Sequence, residues 1–203
     1  MLTIVLHDQS RSIVDNVRLY EEAIVTAELP NIPFHSEPLL NGREDYASLG
    51  MAKRKKLLQS FNIFVQRLPI EYHTFSYRTA EFATPDELAA RMRRDISEFI
   101  LGRLGFFQSF DDVKVYYDNG QDVVKSAIYG AFESALSHNV VIRRRTTMTE
   151  YRLAQVADYL CTIELAAIKY AAKENGATYD KFFGGPGAFK RNWLKQARRK
   201  LVN

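Results

Sequence analysis

Apolar and polar positions follow two different periods along this chain, and the changes from one to the other mark out its elements. Leu2 to Leu6 is a short apolar run containing β-branched residues that stops at His7-Asp8, the pattern of a buried strand. Ile24 to Leu29 reads as another strand, leading into a loop punctuated by Pro30, Pro33, Pro38 and Gly42. From about Glu44 to Gln66 the residues Leu49, Leu57, Leu58, Phe61, Phe64 and Val65 form a helical stripe, which Pro69 ends. Lys53 to Lys56, a basic run within that stripe, reads as a solvated face. Ile70 to Arg78 alternates at period two and predicts a strand, with His73, Phe75 and Tyr77 on one side.

In Thr84-Pro85-Asp86-Glu87 a capping hydroxyl, a first-turn proline and early acids predict a helix start. That helix carries Leu88, Met92, Ile96, Phe99 and Ile100. Val113 to Tyr117 predicts a strand ending at the turn Asp118-Asn119-Gly120, followed by a helix with Val124, Ala127, Ile128 and Ala131 on one face. Val140 to Arg145 is a further strand. Thr149-Glu150 opens a long helix through Ala172 that Asn175-Gly176 ends. Gly184-Gly185-Pro186-Gly187 is a loop, and Ala188 to Leu201 a basic terminal helix. Strands alternating with helices imply an α/β fold, a mixed sheet flanked by helices. The expected division is one domain over 1–175 and a C-terminal helical extension over 176–203, with no internal repeat.

Composition narrows the function. Hydrophobic residues make up 46% of the 203 and aromatics 12%, which is enough for a large core. Cys161 is the one cysteine, so no intrachain disulfide and no cysteine-based zinc cage can form. The start of the chain has no basic leader, and no stretch reaches the ~18 apolar residues of a membrane span. A cytoplasmic protein with no membrane partner is expected. The net charge of +4 permits a nucleic-acid partner, DNA or RNA. The oligomeric state is left open.

Three aspartates stand out by position. Asp8 follows the first strand, Asp118 follows a later one, and Asp158 sits among apolar neighbours in the long helix. A carboxylate turned inward needs a partner, because burying a bare charge is costly. A divalent cation is one such partner, since Mg²⁺ takes a few carboxylates together with water and phosphate oxygens. The plainer alternatives are turn and cap roles for Asp8 and Asp118 and an ion pair for Asp158. The glycine loop at 184–187 lacks the strand before it and the Lys-Ser/Thr after it of a nucleotide loop. The four histidines show no triad spacing.

Val113-Lys114-Val115-Tyr116-Tyr117-Asp118-Asn119-Gly120-Gln121, followed by Gln155-Val156-Ala157-Asp158-Tyr159, resembles domain-of-unknown-function family 3800, which is similar to RNase H-like folds. Asp8-Gln9-Ser10 matches in part the family's opening Asp-Glu-Ser, and Pro33-Phe34-His35 matches in part its early acid-x-His motif. The resemblance runs to about Lys169. It implies an RNase H-like sheet and a metal-dependent nuclease, with Asp8, Asp118 and Asp158 holding Mg or Mn. Two positions depart from the pattern: Gln9 stands where the family has Glu, and Pro33 where it has an acid. Glu37 or Glu28 is a candidate for a missing carboxylate. His35 is a candidate for orienting phosphate or ligating metal, against a plain surface or core role.

Two basic patches are candidate nucleic-acid contacts. Arg143, Arg144 and Arg145 lie at a strand end, where alternation lets only some share a side. Lys190, Arg191, Lys195 and Arg198 lie on the terminal helix with Trp193 and Leu194 positioned to dock it. A solvated strand end and cations complementing a helix dipole are the alternatives. Two functions remain open at this point: a metal-dependent phosphodiesterase, or a catalytically inactive nucleic-acid-binding or interaction module on the same fold.

Overall fold

The computed structural model describes residues 1–117, 121–136, 141–145 and 151–202, the side chains of 142–145 excepted. The chain is mixed α/β and mostly helical, and it divides into two compact bodies, residues 1–74 with 155–203 and residues 75–154.

In the first body, β1 (Leu2–His7) pairs with β2 (Ile70–Phe75), and the Thr3 and Thr74 hydroxyls lie 2.9 Å apart. Leu201 adds a parallel bridge to Tyr72, and the Val202 amide donates to the Tyr72 carbonyl at 2.9 Å, so the chain end extends this sheet. The expected strand at Ile24 to Leu29 is instead the end of a helix, α1 (Val14–Thr26). Tyr20 and Ile24, four apart, are buried, while Val25 is 70% exposed, a pattern that fits a helix and not a buried strand. Tyr20 packs on Phe61 and Phe64 of α3 (Met51–Arg67), with ring centroids 5.6 and 4.9 Å away.

The proline-punctuated loop contains a short helix, α2 (Ser36–Asn41), whose Pro38 sits in the first turn, where no amide donor is needed. Gly42 ends it with φ +66°, and the Arg54 guanidinium donates to the Leu39 and Leu40 carbonyls at 2.8 and 3.0 Å. Arg54 is therefore a helix cap and not part of a solvated face.

In the second body, Thr84 caps α4 (Pro85–Gly102) as expected: its hydroxyl accepts from the Glu87 amide at 3.2 Å, and Glu87 accepts from the Ala83 amide at 2.9 Å. A short α5 (Leu104–Phe107) follows. β3 (Val113–Tyr117) and β4 (Val141–Arg145) pair in parallel, Val113 opposite Val141, joined through α6 (Asp122–Ala135). Among the described residues the strands make two separate pairs.

The long helix α7 spans Arg152–Ala172. Lys173, at φ +57°, ends it before Asn175-Gly176, with the Glu174 amide donating to the Lys169 carbonyl at 2.8 Å. A helix not anticipated, α8 (Ala177–Phe183), precedes the glycine loop. The terminal segment then runs through α9 (Pro186–Phe189), a π-helical turn (Lys190–Leu194), α10 (Lys195–Ala197) and a 3-10 turn (Arg198–Lys200). Phe189, Trp193 and Ala197 are buried, so this segment is built into the first body.

Candidate functional site

Phe34 anchors the loop before α2. It is buried and stacks on Phe61 at 3.9 Å, with Tyr159 of α7 edge-on at 5.9 Å. Packing of these rings brings residues 33–36 against α7, and hydrogen bonds fix the contact. The Phe34 amide donates to Gln155 Oε1 at 3.1 Å, and the Ser36 amide donates to Asp158 Oδ2 at 2.6 Å. Gln155 and Asp158, three apart, share one helix face and meet a segment more than 120 residues earlier in the chain. Tyr46 closes the loop from its other side. Its hydroxyl accepts from the His35 amide at 3.0 Å and donates to the Pro33 carbonyl at 2.7 Å. Burial pushes the Tyr46 phenol well above its ordinary range.

Asp158 thus caps the N-terminus of α2, where a carboxylate also faces the positive end of the helix dipole. The neighbouring Ser36 hydroxyl is buried and makes no hydrogen bond among the described residues.

The other sequence candidates fall as follows. Asp8 comes directly after β1 and folds into an Asx turn, Oδ1 accepting from the Ser10 amide at 2.9 Å. That bond holds its carboxyl below the usual carboxylate range. The His35 ring is about half exposed, its Nδ1 3.9 Å from Glu44. Glu37 is exposed and accepts from Asn41 at 2.7 Å and from Arg43 at 3.3 Å. Asp118, next in the chain after β3, lies outside the described residues, as do the side chains of Arg143, Arg144 and Arg145. The structure therefore brings together Asp158 and the backbone around His35, with Glu37 one residue beyond Ser36.

The donors on hand, aspartate oxygens, are the hard ligands that Mg²⁺ and Mn²⁺ take. Among the described residues no three His, Cys, Asp or Glu side chains gather as a metal cage would. The described residues alone do not complete a cation site.

Lys190, Arg191 and Lys195 are exposed and have no ion-pair partner among the described residues. Arg198 differs: it is joined to Glu164, a nearly buried carboxylate that also accepts from the Tyr72 hydroxyl at 2.8 Å. It locks the chain end to α7, so its charge is already neutralised. Lys200 likewise donates to the Leu68 carbonyl, and burial pushes its ammonium pKa down.

Gln155, Ser36, Tyr46 and Glu164 were not singled out from sequence. Gln155 and Glu164 had a signal: each is a polar residue on the apolar face of a long helix, where only a partnered side chain is tolerated. Compared with known proteins, the chain matches no family model, no curated protein and no solved structure. The resemblance to family 3800 accordingly rests on its motifs. No helix among the described residues is long and apolar enough to cross a membrane.

Proposed function

We propose that this chain is a metal-dependent phosphodiesterase of RNase H-like fold acting on nucleic acid. The observation that carries the reading is the pairing of the Ser36 amide with Asp158. The two quoted motif segments around His35 and Asp158, unconnected in sequence, meet at one place, beside a buried hydroxyl that makes no hydrogen bond among the described residues. Asp158 would hold Mg²⁺ or Mn²⁺, with Asp8 and Asp118 as the further ligands. The bound ion would supply activation of water and charge stabilisation at phosphorus. The half-exposed His35 is available to donate to a phosphate oxygen, and Lys190, Arg191 and Lys195 to hold the backbone of the substrate. Hydrolysis adds the water oxygen to phosphorus, breaks one P–O ester bond and delivers a proton to the leaving oxygen. Incubation of labelled DNA and RNA strands with the protein, with and without Mn²⁺, tests the reading.

A second reading is a non-catalytic nucleic-acid-binding module on the same fold. It is favoured by Gln9 and Pro33, which carry no charge, and by the local bonds already made by Asp8 and Asp158. Metal-independent binding without cleavage is its signature.

A further inference from the structure

Lysines and arginines are spread unevenly over this chain. The 17 residues of α3 hold Lys53, Arg54, Lys55, Lys56 and Arg67 and no acid. The segment from Lys181 to the chain end holds seven more cations and again no acid. Twelve of the 28 cations and none of the 24 carboxylates therefore lie in these two stretches, and the rest of the chain carries 16 cations against 24 carboxylates.

The two stretches are neighbours in the first body. Gln59 and Asn192 line one cleft, and eight or nine residues further along each stretch the Lys200 ammonium donates to the Leu68 carbonyl. They therefore run side by side in the same direction. Lys56 lies one turn before Gln59, and Lys53 one turn before Lys56. Lys53, Lys56 and Arg67 are exposed on α3, and Lys190, Arg191, Lys195 and Arg199 on the terminal segment. None of them has an ion-pair partner among the described residues. The outcome is a cationic strip the length of α3, ~25 Å, to which neither stretch contributes a carboxylate. Fold stability does not call for this charge. Lys53 and Lys56 lie in the first two turns of α3, whose first turn has no acid, and the positive end of a helix dipole disfavours cations. An anion laid along the strip offsets that repulsion.

Nucleic acid fits this strip better than an acidic membrane does. A helix lying on a bilayer inserts apolar side chains. Here Phe61, Phe64, Phe182, Phe183, Phe189 and Trp193, all the aromatic residues of the two stretches, are buried. A strip of ~25 Å matches about seven phosphates of one duplex strand at ~3.4 Å each. We propose that α3 and the terminal segment together track the phosphate backbone of a nucleic-acid duplex, Lys53 and Lys56 supplying the α3 side of the contact. Contacts to phosphate alone carry no base preference, so the duplex is held whatever its sequence. This rests on the nucleic-acid reading above but needs neither the metal nor the aspartates.

The test is binding of a labelled DNA duplex, followed by fluorescence anisotropy over a range of salt with EDTA present. It compares the parent with Lys53→Glu/Lys56→Glu and with a control of equal net charge, Arg78→Glu/Lys173→Glu, at two exposed positions outside the strip. Glutamate suits the start of a helix better than lysine, so the α3 variant should melt no lower than the parent. It should bind the duplex at least tenfold more weakly and flatten the slope of log affinity against log salt by about 1.8, two contacts at about 0.9 each. The control should keep the parent slope and lose much less affinity. Equal losses in the two variants would overturn the proposal, since net charge alone would then explain them, as would parent-like binding by the α3 variant. Binding of the parent to vesicles of phosphatidylcholine and phosphatidylserine as tightly as to the duplex would overturn it in favour of a membrane surface. The same titration on Asp158→Asn separates this idea from the catalytic one. Parent-like duplex binding by a parent and variant that both fail to cleave with Mn²⁺ would remove the enzyme reading alone. Metal-dependent cleavage by the parent, with duplex binding indifferent to Lys53 and Lys56, would remove the strip alone.

Discussion

Glu164 and Arg198 are joined by two hydrogen bonds, Nε to Oε1 at 3.1 Å and Nη2 to Oε2 at 2.7 Å. The carboxylate is almost fully buried, while the guanidinium is about half exposed. Removing the arginine leaves a buried charge whose partner among the described residues is the Tyr72 hydroxyl alone. Arg198→Ala should therefore destabilise the protein by ~2 kcal/mol, below the ~3–5 kcal/mol of a fully buried pair because solvent screens this one. Adding Glu164→Gln should recover part of the loss. Urea unfolding of the single and double variants measures both, and equal midpoints for parent and Arg198→Ala would remove this account of the chain end.

Asp158 has a structural duty separable from any chemistry. Asparagine retains an oxygen that can accept the Ser36 amide, whereas alanine leaves that amide and the start of α2 without a cap. Asp158→Asn should stay within ~0.5 kcal/mol of the parent, and Asp158→Ala should lose about 1–2 kcal/mol. Equal losses in the two variants would show that charge, and not the cap, is what α2 requires.

Several elements were legible because their signals are local. Thr84 with Glu87 marks a helix start within four residues, and Val113 to Tyr117 reads as a strand without reference to anything else. Ile24 to Leu29 misleads for the same reason: its β-branched residues suggest a strand, but the helix that holds Ile24 packs through Tyr20 on Phe61 and Phe64, about forty residues away. Arg198 looked like one of several free cations because Glu164 is thirty-four residues distant in the chain. The apolar neighbours of Asp158 mark it as a candidate inward-facing acid, yet a partner it meets is a backbone amide, which no residue type announces. The π turn under Trp193 shifts the helical register, so a face drawn with 3.6-residue spacing grouped Arg198 with Arg191 and Lys195.

Burial raises the phenol pKa of Tyr46, Tyr72, Tyr77, Tyr159 and Tyr170. Their unfolded value is ~10, so the unfolded chain binds fewer of these protons above that pH. The stability they contribute is complete below pH ~10 and is lost as pH rises towards the raised native values. Phenolate absorbance should therefore appear in two phases, exposed tyrosines first and the buried set together with loss of circular dichroism. A single smooth titration with no structural change would contradict the burial described.

The terminal cations make a separate claim about salt. Each phosphate contact contributes a slope of about −0.7 on single strands and −0.9 on duplex in log affinity against log salt. Arg191→Glu/Lys195→Glu should weaken nucleic-acid binding and make that slope shallower by about 1.5, with the melting temperature unchanged because both side chains are exposed. Unchanged affinity and slope would leave the helix as a solvated structural element.

Cleavage of an end-labelled strand by the parent, Asp8→Asn and Asp158→Asn proteins, each shown to be folded and each with Mn²⁺ or with EDTA, tests the central claim most directly. The account predicts cleavage by the parent with Mn²⁺ only, and none by either variant. Cleavage that survives EDTA or either substitution, or a folded parent that binds the strand without cutting it, would contradict it.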